Sequence, residues 1–291
     1  MPDIHTILTH PGGAHKDDVL AVSVLIALHR APVVRRDPTD ADRADAGVAI
    51  VDVGGSHDPA LNNFDHHHFP REHPPTCALS LVLQALDLYD DALLFCPWME
   101  TAEWFDSRGP NRTAEWLGVP RAAISQLGSP VDHTLLRRFA RETALNPGHP
   151  VYEWMGIVGE DILDTLRNGR ARLDAVTEQA ERWSVDVDGE TIEALFLPRS
   201  DEEPGEPSGA LHDYIRSKGL DDVIAAIIYP DRRGPGYGIQ RVHDHPRLDF
   251  QRVADEPDVH FAHVSGFVCK VRTLEPTRLR ELLAGGWGPA S

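Results

Sequence analysis

Apolar positions change their period several times along this chain. Residues 4–9 alternate and are rich in Ile, Thr and Leu, the period-two signature of a strand. Pro11, Gly12 and Gly13 then mark a turn. From Asp17 to Arg30 the residues Val19, Leu20, Val22, Leu25, Ile26 and Ala27 cover most of a helical circumference, which predicts a helix buried nearly all round. Asp17 and Asp18 in its first turn suit the positive end of the helix dipole. Residues 48–53 form an apolar β-branched run closed by Gly54 and Gly55, the pattern of a central parallel strand. Strand, helix, strand in this order predicts an α/β fold whose mainly parallel sheet is flanked by helices.

After Thr76 the period becomes helical, with helices expected at 77–89, 92–105, 132–144 and 150–182. Breaks are expected at Arg108-Gly109-Pro110 and Asn146-Pro147-Gly148. Residues 201–209 read as an exposed acidic loop. Strands are expected at 191–197, 223–229 and 236–242, and a closing helix at 276–284. This pattern divides the chain into an α/β domain over 1–183 and a smaller α+β domain over 184–291. A length of 291 residues suits two domains at the usual ~150 residues each.

Composition narrows the class. The longest apolar run, Val19 to Leu28, includes Ser23 and spans ten positions, well short of the ~18 a membrane-spanning helix needs. The N-terminal residues Asp3 and His5 do not read as a secretory signal. Three widely spaced cysteines, Cys77, Cys96 and Cys269, fit neither a disulfide framework nor a zinc knuckle, so a reducing cytoplasm is expected. The formal net charge of −18 repels phosphate backbones over much of the surface. It argues against duplex DNA as a partner and leaves room for a local basic groove.

The candidate chemistry lies in histidines and carboxylates. His10, His15 and Asp17 follow the first strand, Asp52 ends the second, and Asp65-His66-His67 comes a short loop later. Ligand crevices of open α/β sheets lie outside the carboxyl ends of the strands, so all three clusters are expected to face one cleft, with Asp106 in the turn after a helix as a fourth. Carboxylates crowded together raise one another's pKa, a conflict that divalent cations remove. Oxygen and imidazole donors without thiolates suit Mn²⁺, Mg²⁺, Fe²⁺ or Zn²⁺. Taken singly, each residue has a plainer reading: Asp17 and Asp18 as helix-start acids, Asp52 as a turn residue, His66 to His68 as a polar tract. Their joint order along the chain is what carries the signal.

That order resembles a known family. Thr9-His-Pro-Gly-Gly-Ala-His-Lys-Asp-Asp18, Val51-Asp-Val-Gly-Gly55 and Phe64-Asp-His-His67 are similar to successive motifs of the DHH phosphoesterase superfamily, most closely its Myg-type branch (melanocyte proliferating gene proteins). Asp106-Ser-Arg-Gly109, the stretch from Val151 to Leu166 with Met155, Gly159, Glu160 and Asp161, and His263-Val-Ser-Gly-Phe267 resemble further motifs in the same order. The resemblance implies a two-domain hydrolase with two cations, usually manganese. It assigns His10, His15 and Asp52 to one metal, and Asp17, Asp52, His66 and Asp106 to the other, with Asp52 bridging. Asp65 would orient a histidine, and His67 would face the substrate phosphate or leaving oxygen. His263 and the backbone of Gly266 would contact substrate from the C-terminal domain. The sequence departs from the pattern at Lys16, Asp18, His68, Arg108 and Val268-Cys269-Lys270.

Lys16 and Arg241 are candidate phosphate contacts. Tyr237 is a candidate stacking partner, although a core position suits it better. The expected activity is metal-dependent hydrolysis of phosphodiester bonds in short RNA or small nucleotides, including 3′–5′ exonuclease action. A pyrophosphatase-like hydrolase and a non-catalytic metal- or nucleotide-binding protein are the alternatives. A homodimer is compatible with the sequence, and no membrane partner is expected.

Overall fold

The computed structural model describes residues 3–201 and 205–289; residues 202–204 of the expected acidic loop lie outside the described residues. Contacts divide the chain into two compact units, one ending at Arg167 and the other starting at Asn168, ahead of the boundary near 183 expected from the sequence.

In the first unit the strands are β1 (Thr6–Thr9), β2 (Val33–Arg35), β3 (Val48–Val51), β4 (His57–Asp58), β5 (Asn63–Phe64) and β6 (Ala144–Leu145). The helices are α1 (Lys16–His29), α2 (Asp40–Ala44), α3 (Ala78–Ala85), α4 (Tyr89–Phe95), α5 (Met99–Leu117), α6 (Arg121–Gln126), α7 (Pro130–Phe139) and α8 (Pro150–Gln179), the last continuing into the second unit. The sheet runs β4-β5-β3-β1-β2-β6. β1, β2, β3 and β5 are parallel, and the two edge strands are antiparallel to their neighbours.

This order places a switch point between β1 and β3. The chain leaves β1 through α1 toward β2 on one side, then returns through α2 to β3 on the other. Register makes the consequence specific. Thr9 pairs with Val51 and Val51 with Phe64, so His10, Asp52 and Asp65 stand side by side at the carboxyl ends of three adjacent strands. Open α/β sheets bind ligands at such a point.

Along α1, Val19, Ala21, Val22, Val24, Leu25 and Ile26 are buried, as the nearly continuous apolar surface requires, while Leu20 and Ala27 are half-buried. Gly159 of α8 explains how closely a second helix packs there, since a Cβ at that position would lie 2.0 Å from the Ser23 carbonyl oxygen.

Other boundaries differ from the sequence reading. The helix expected over 77–89 ends at Ala85, because Asp87 turns into the left-handed region with φ 57°. Cys96 precedes Pro97 and adopts φ −118°, ψ 86°, so the run expected over 92–105 splits between α4 and α5. The break at Gly109 is real, with φ 73° and ψ 169°, but it is a kink within α5 and not a loop. Asp106 therefore sits on the helix one turn before that kink, not in a turn after it. The expected acidic loop also stops early, because a helix begins at Pro207.

The second unit has a six-stranded sheet of its own: β7 (Glu181–Val187), β8 (Glu190–Phe196), β9 (Ala226–Pro230), β10 (Tyr237–Arg241), β11 (Val259–Ala262) and β12 (Val268–Val271), in the order β11-β12-β10-β9-β8-β7. Only β8 and β9 are parallel neighbours. Its helices are α9 (Pro207–Ser217) and α10 (Pro276–Gly286). One sheet face packs Trp183, Phe196, Ile228 and Ile239 with Leu279 and Leu283 of α10. The other packs Leu195 and Ile227 with Leu211 and Ile215 of α9 and Val176 of α8. Tyr237 is part of the first of these cores, so it is a packing residue. All three cysteines are buried thiols.

Candidate metal centre

Each candidate side chain of the first unit is set by the element that ends or begins beside it. Asp52 follows β3 directly and adopts φ 56°, a left-handed conformation that Asp and Asn tolerate better than most residues. Its amide donates to the Phe64 carbonyl at 3.0 Å, which keeps it in the sheet's hydrogen-bond ladder while its side chain turns into the crevice. Gly54 and Gly55 follow with φ 104° and 71°, a turn that only glycine makes without strain. His10, His15, Asp52, Gly54, Asp65 and His67 line the resulting open crevice.

His10 Nδ1 bonds the Pro11 carbonyl at 2.9 Å, which requires its proton there and directs Nε2 inward. Nε2 then meets two carboxylates, Asp18 Oδ2 at 3.1 Å and Asp52 Oδ2 at 3.5 Å. On the other side, His66 Nε2 donates to Asp52 Oδ1 at 3.1 Å and lies 2.9 Å from Asp106 Oδ2. Asp17 is buried at the start of α1, and its Oδ2 accepts from the Ala78 amide at the start of α3. Helix α3 thus presents an amide donor at its positive end to a carboxylate.

Three groups of donor atoms lie within 4.8 Å of one another: His10, His15 and Asp52; Asp52, His66 and His67; and His15, Asp17 and Asp106. Asp52 belongs to two of them. Asp17 Oδ1 is buried without a hydrogen-bond partner among the described residues, and His10 Nε2, Asp18 Oδ2 and Asp106 Oδ2 are buried with only the histidine–carboxylate contacts just given. An unmatched buried carboxylate oxygen is costly, and a divalent cation would satisfy Asp17 while replacing the histidine charge beside Asp52 and Asp106. The donor set, oxygen and imidazole with no thiolate, fits that role.

The electrostatics agree. Burial, and then the neighbouring Asp52, Asp106 and Asp18 carboxylates, raise Asp17 well above the usual range. Burial likewise raises Asp18. Contact with Asp18 pushes His10 up to about 9. Burial lowers His66, but Asp106 and Asp52 outweigh it and push the ring up to about 10. Without a cation, these histidines stand in as the positive charges of the cluster.

Asp65 has a different task. Its Oδ1 accepts from the amide and Nδ1 of His67, at 3.0 and 2.7 Å, while Oδ2 accepts from the Gly55 amide. Burial raises this carboxyl, but those donors outweigh it and hold it below the ordinary range. The His67 ring is thereby fixed by its Nδ1 edge, with Nε2 as its other nitrogen.

Several candidates lie elsewhere. Lys16 Nζ pairs with Asp132 Oδ2 of α7 at 2.6 Å. Arg241 donates to the Leu248 carbonyl at 3.0 Å and to Asp244 at 2.9 Å, so it braces its own loop. His57, His68 and His73 gather around the Phe69 ring, with centroids 6.1, 4.6 and 4.4 Å away, and take no part in the carboxylate cluster. In the second unit, His263 is in the turn after β11, where its Nδ1 meets Ser265 Oγ at 2.7 Å. Gly266 has φ 65°, and a Cβ there would lie 1.9 Å from Asp249 Oδ1.

Two residues outside the expected ligand sets take part. Asp18, first read as a helix-start acid, contacts His10 and also accepts from the His15 amide at 2.9 Å, tying both histidines together. Its place one position after Asp17 was the available sequence signal. Arg35 contacts the loop between the same histidines from behind; a lone arginine ending an unrecognised strand gave no signal.

Fold and site together define an α/β protein with a histidine–aspartate cluster at the switch point of a mainly parallel sheet. Comparison with known proteins adds a relationship. Residues 6–76 match the MYG1-exonuclease family model, described as an uncharacterised protein family (UPF0160). The chain is 28% identical to the MYG1 exonuclease of Homo sapiens over 92% of its own length and 82% of that protein. It is also 45% identical to MYG1 protein C694.04c of Schizosaccharomyces pombe over 71 residues, 23% of this chain and 21% of that one. The matched region 6–76 holds His10, His15, Asp17, Asp52, Asp65, His66 and His67, but not Asp106. No helix among the described residues is long and apolar enough to cross a membrane.

Proposed function

We propose that this chain is a cation-dependent phosphodiester hydrolase of the DHH type, a nuclease acting on short RNA or small nucleotides. The observation that supports it most is Asp52, whose two oxygens separately approach His10 and His66, so that this one carboxylate would be able to serve both donor sets. The name exonuclease carried by the human relative supports the nuclease reading. His10, His15 and Asp52 would hold one cation; Asp17, Asp52, His66 and Asp106 would hold the other. Manganese suits these donors, as do Mg²⁺, Zn²⁺ and Fe²⁺. Two such cations supply a nucleophile at neutral pH and neutralise charge on the phosphoryl oxygens.

The chain's own residues do the rest. Asp65 fixes the His67 ring, so that its Nε2 can hand a proton to the departing oxygen. The buried position of Asp17 and its bond from the Ala78 amide keep one ligand rigid before substrate arrives. His263 and the backbone of Gly266 are the proposed substrate contacts of the second unit. The net charge of −18 favours short substrates over long duplexes. The test is a panel with Mn²⁺ present: a base-free aryl phosphodiester, short RNA oligomers, cyclic dinucleotides and pyrophosphate. Cleavage of diesters and oligomers is expected; no cleavage of any member refutes the reading.

A further inference from the structure

The loop that separates His10 from His15 has little to hold it from outside. Pro11, Gly12 and Gly13 are exposed, Gly12 has φ 89°, and a Cβ on either glycine would meet open space. From behind, one side chain grips it. Arg35 ends β2 and is 4% exposed. Its Nη2 donates to the Gly13 carbonyl at 2.8 Å, and Nη1 lies 3.3 Å from the Gly12 carbonyl and 3.0 Å from the Phe139 carbonyl that ends α7. The guanidinium also lies over the Phe139 ring, 4.5 Å from its centre.

Burying a guanidinium is costly unless the charge is matched. Among the described residues no carboxylate stands within ion-pairing distance of Arg35; Asp18 favours the charge from farther away, three backbone carbonyls and a ring contact the guanidinium, and Nε has no hydrogen-bond partner among the described residues. What this arrangement produces is a fixed path for a glycine-rich loop. A planar fork can span the two adjacent carbonyls at set angles, which a flexible ammonium does not do. The loop carries a histidine at each end, and both histidines belong to one donor group with Asp52.

We propose that Arg35 is a positioning residue that presets the distance between His10 and His15, and so the affinity of the cation they hold with Asp52. This rests on the cation reading given above. Of the residues proposed for the second cation, Asp52, His66 and Asp106 are on elements Arg35 does not touch, although His15 also lies within reach of Asp17 and Asp106, so the larger effect is expected on the cation held with His10.

The experiment is a Mn²⁺ titration of the full chain by calorimetry, with amide hydrogen exchange on the same samples. Wild type is expected to bind in two steps. Arg35→Lys is expected to weaken one step by ~10–100-fold, the usual effect of losing a group that orients a ligand, and to leave the other within ~3-fold. The Gly12 to Ala14 amides should exchange faster in the variant. Phe139→Leu, which removes the ring beneath the guanidinium and keeps the carbonyls, should shift the same step in the same direction. It carries the test if Arg35→Lys does not fold. Unchanged affinities in a wild type that binds, or equal weakening of both steps, would overturn the role of Arg35 alone. A wild type that takes up no Mn²⁺ would instead remove the cation reading, and this role with it.

Discussion

Two glycines one turn apart on α8 make opposing predictions. At Gly159, an added Cβ would sit 2.0 Å from the Ser23 carbonyl oxygen, 2.4 Å from its carbon and 2.9 Å from the Val24 nitrogen. All three are backbone atoms of α1, so no side chain can swing aside; the helices must separate by more than ~1 Å to restore normal contact. Overpacking of this kind costs ~1–3 kcal/mol and occasionally more, against which alanine returns ~1 kcal/mol of helix propensity. With backbone atoms at 2.0 Å the upper end of that range applies, and ~3 less ~1 kcal/mol leaves Gly159→Ala destabilised by about 2 kcal/mol. At Gly156 the same Cβ meets only Ile26 Cγ2 at 3.5 Å and Arg30 Nη1 at 3.6 Å, ordinary contacts. Gly156→Ala should then be neutral or stabilising by up to ~1 kcal/mol. Thermal unfolding of both variants with the wild type, at one protein concentration, gives the comparison directly. Equal shifts in the two variants, or a stabilised Gly159→Ala, would show that α1 and α8 do not pack backbone to backbone.

Two further outcomes follow from the site. His10, pushed up to about 9, and His66, pushed up to about 10, are protonated near neutrality without a cation and must lose those protons to bind one. Cation affinity should thus fall as pH is lowered, by roughly tenfold or more per unit between about pH 6 and 8, and calorimetry in buffers of different ionisation enthalpy should register proton release; a flat profile refutes the assignment of both rings. His67→Ala should lower turnover of a phosphodiester reporter ~100-fold with Mn²⁺ affinity nearly unchanged, whereas a large loss of affinity would move His67 from acid to ligand.

Much of the framework was legible because it depends on long-range patterning. The continuous apolar surface of α1 and the β-branched run of β3 can only be core elements, and both are. β2, β11 and β12 went unread because, unlike the equally short β1 and β3, they are interrupted by Arg35, His260 and Lys270 before an apolar run is established. Missing β2 hid the switch point itself, since it is the strand that puts β1 in the middle. The kink at Gly109 was readable from Gly-Pro, but continuation of the helix beyond it was not. His10, Asp17, Asp52 and His66 could be picked out because they follow strand ends or open helices. Asp18 and Arg35 act through contacts that form only when α1 and β2 are packed; the neighbouring Asp17 is the one local hint for Asp18, and nothing local distinguishes Arg35 from a surface arginine.

The central claim is that Asp52 joins two cation sites. Asn is also at home in the left-handed conformation of this residue, so Asp52→Asn should fold as the wild type does while losing the negative charge two cations would share. Bound metal should be measured by mass spectrometry after Mn²⁺ loading and desalting, for both proteins side by side. About two manganese ions are expected per wild-type chain and fewer than about one in the variant. Equal metal content in the two proteins, or none in the wild type, would contradict it.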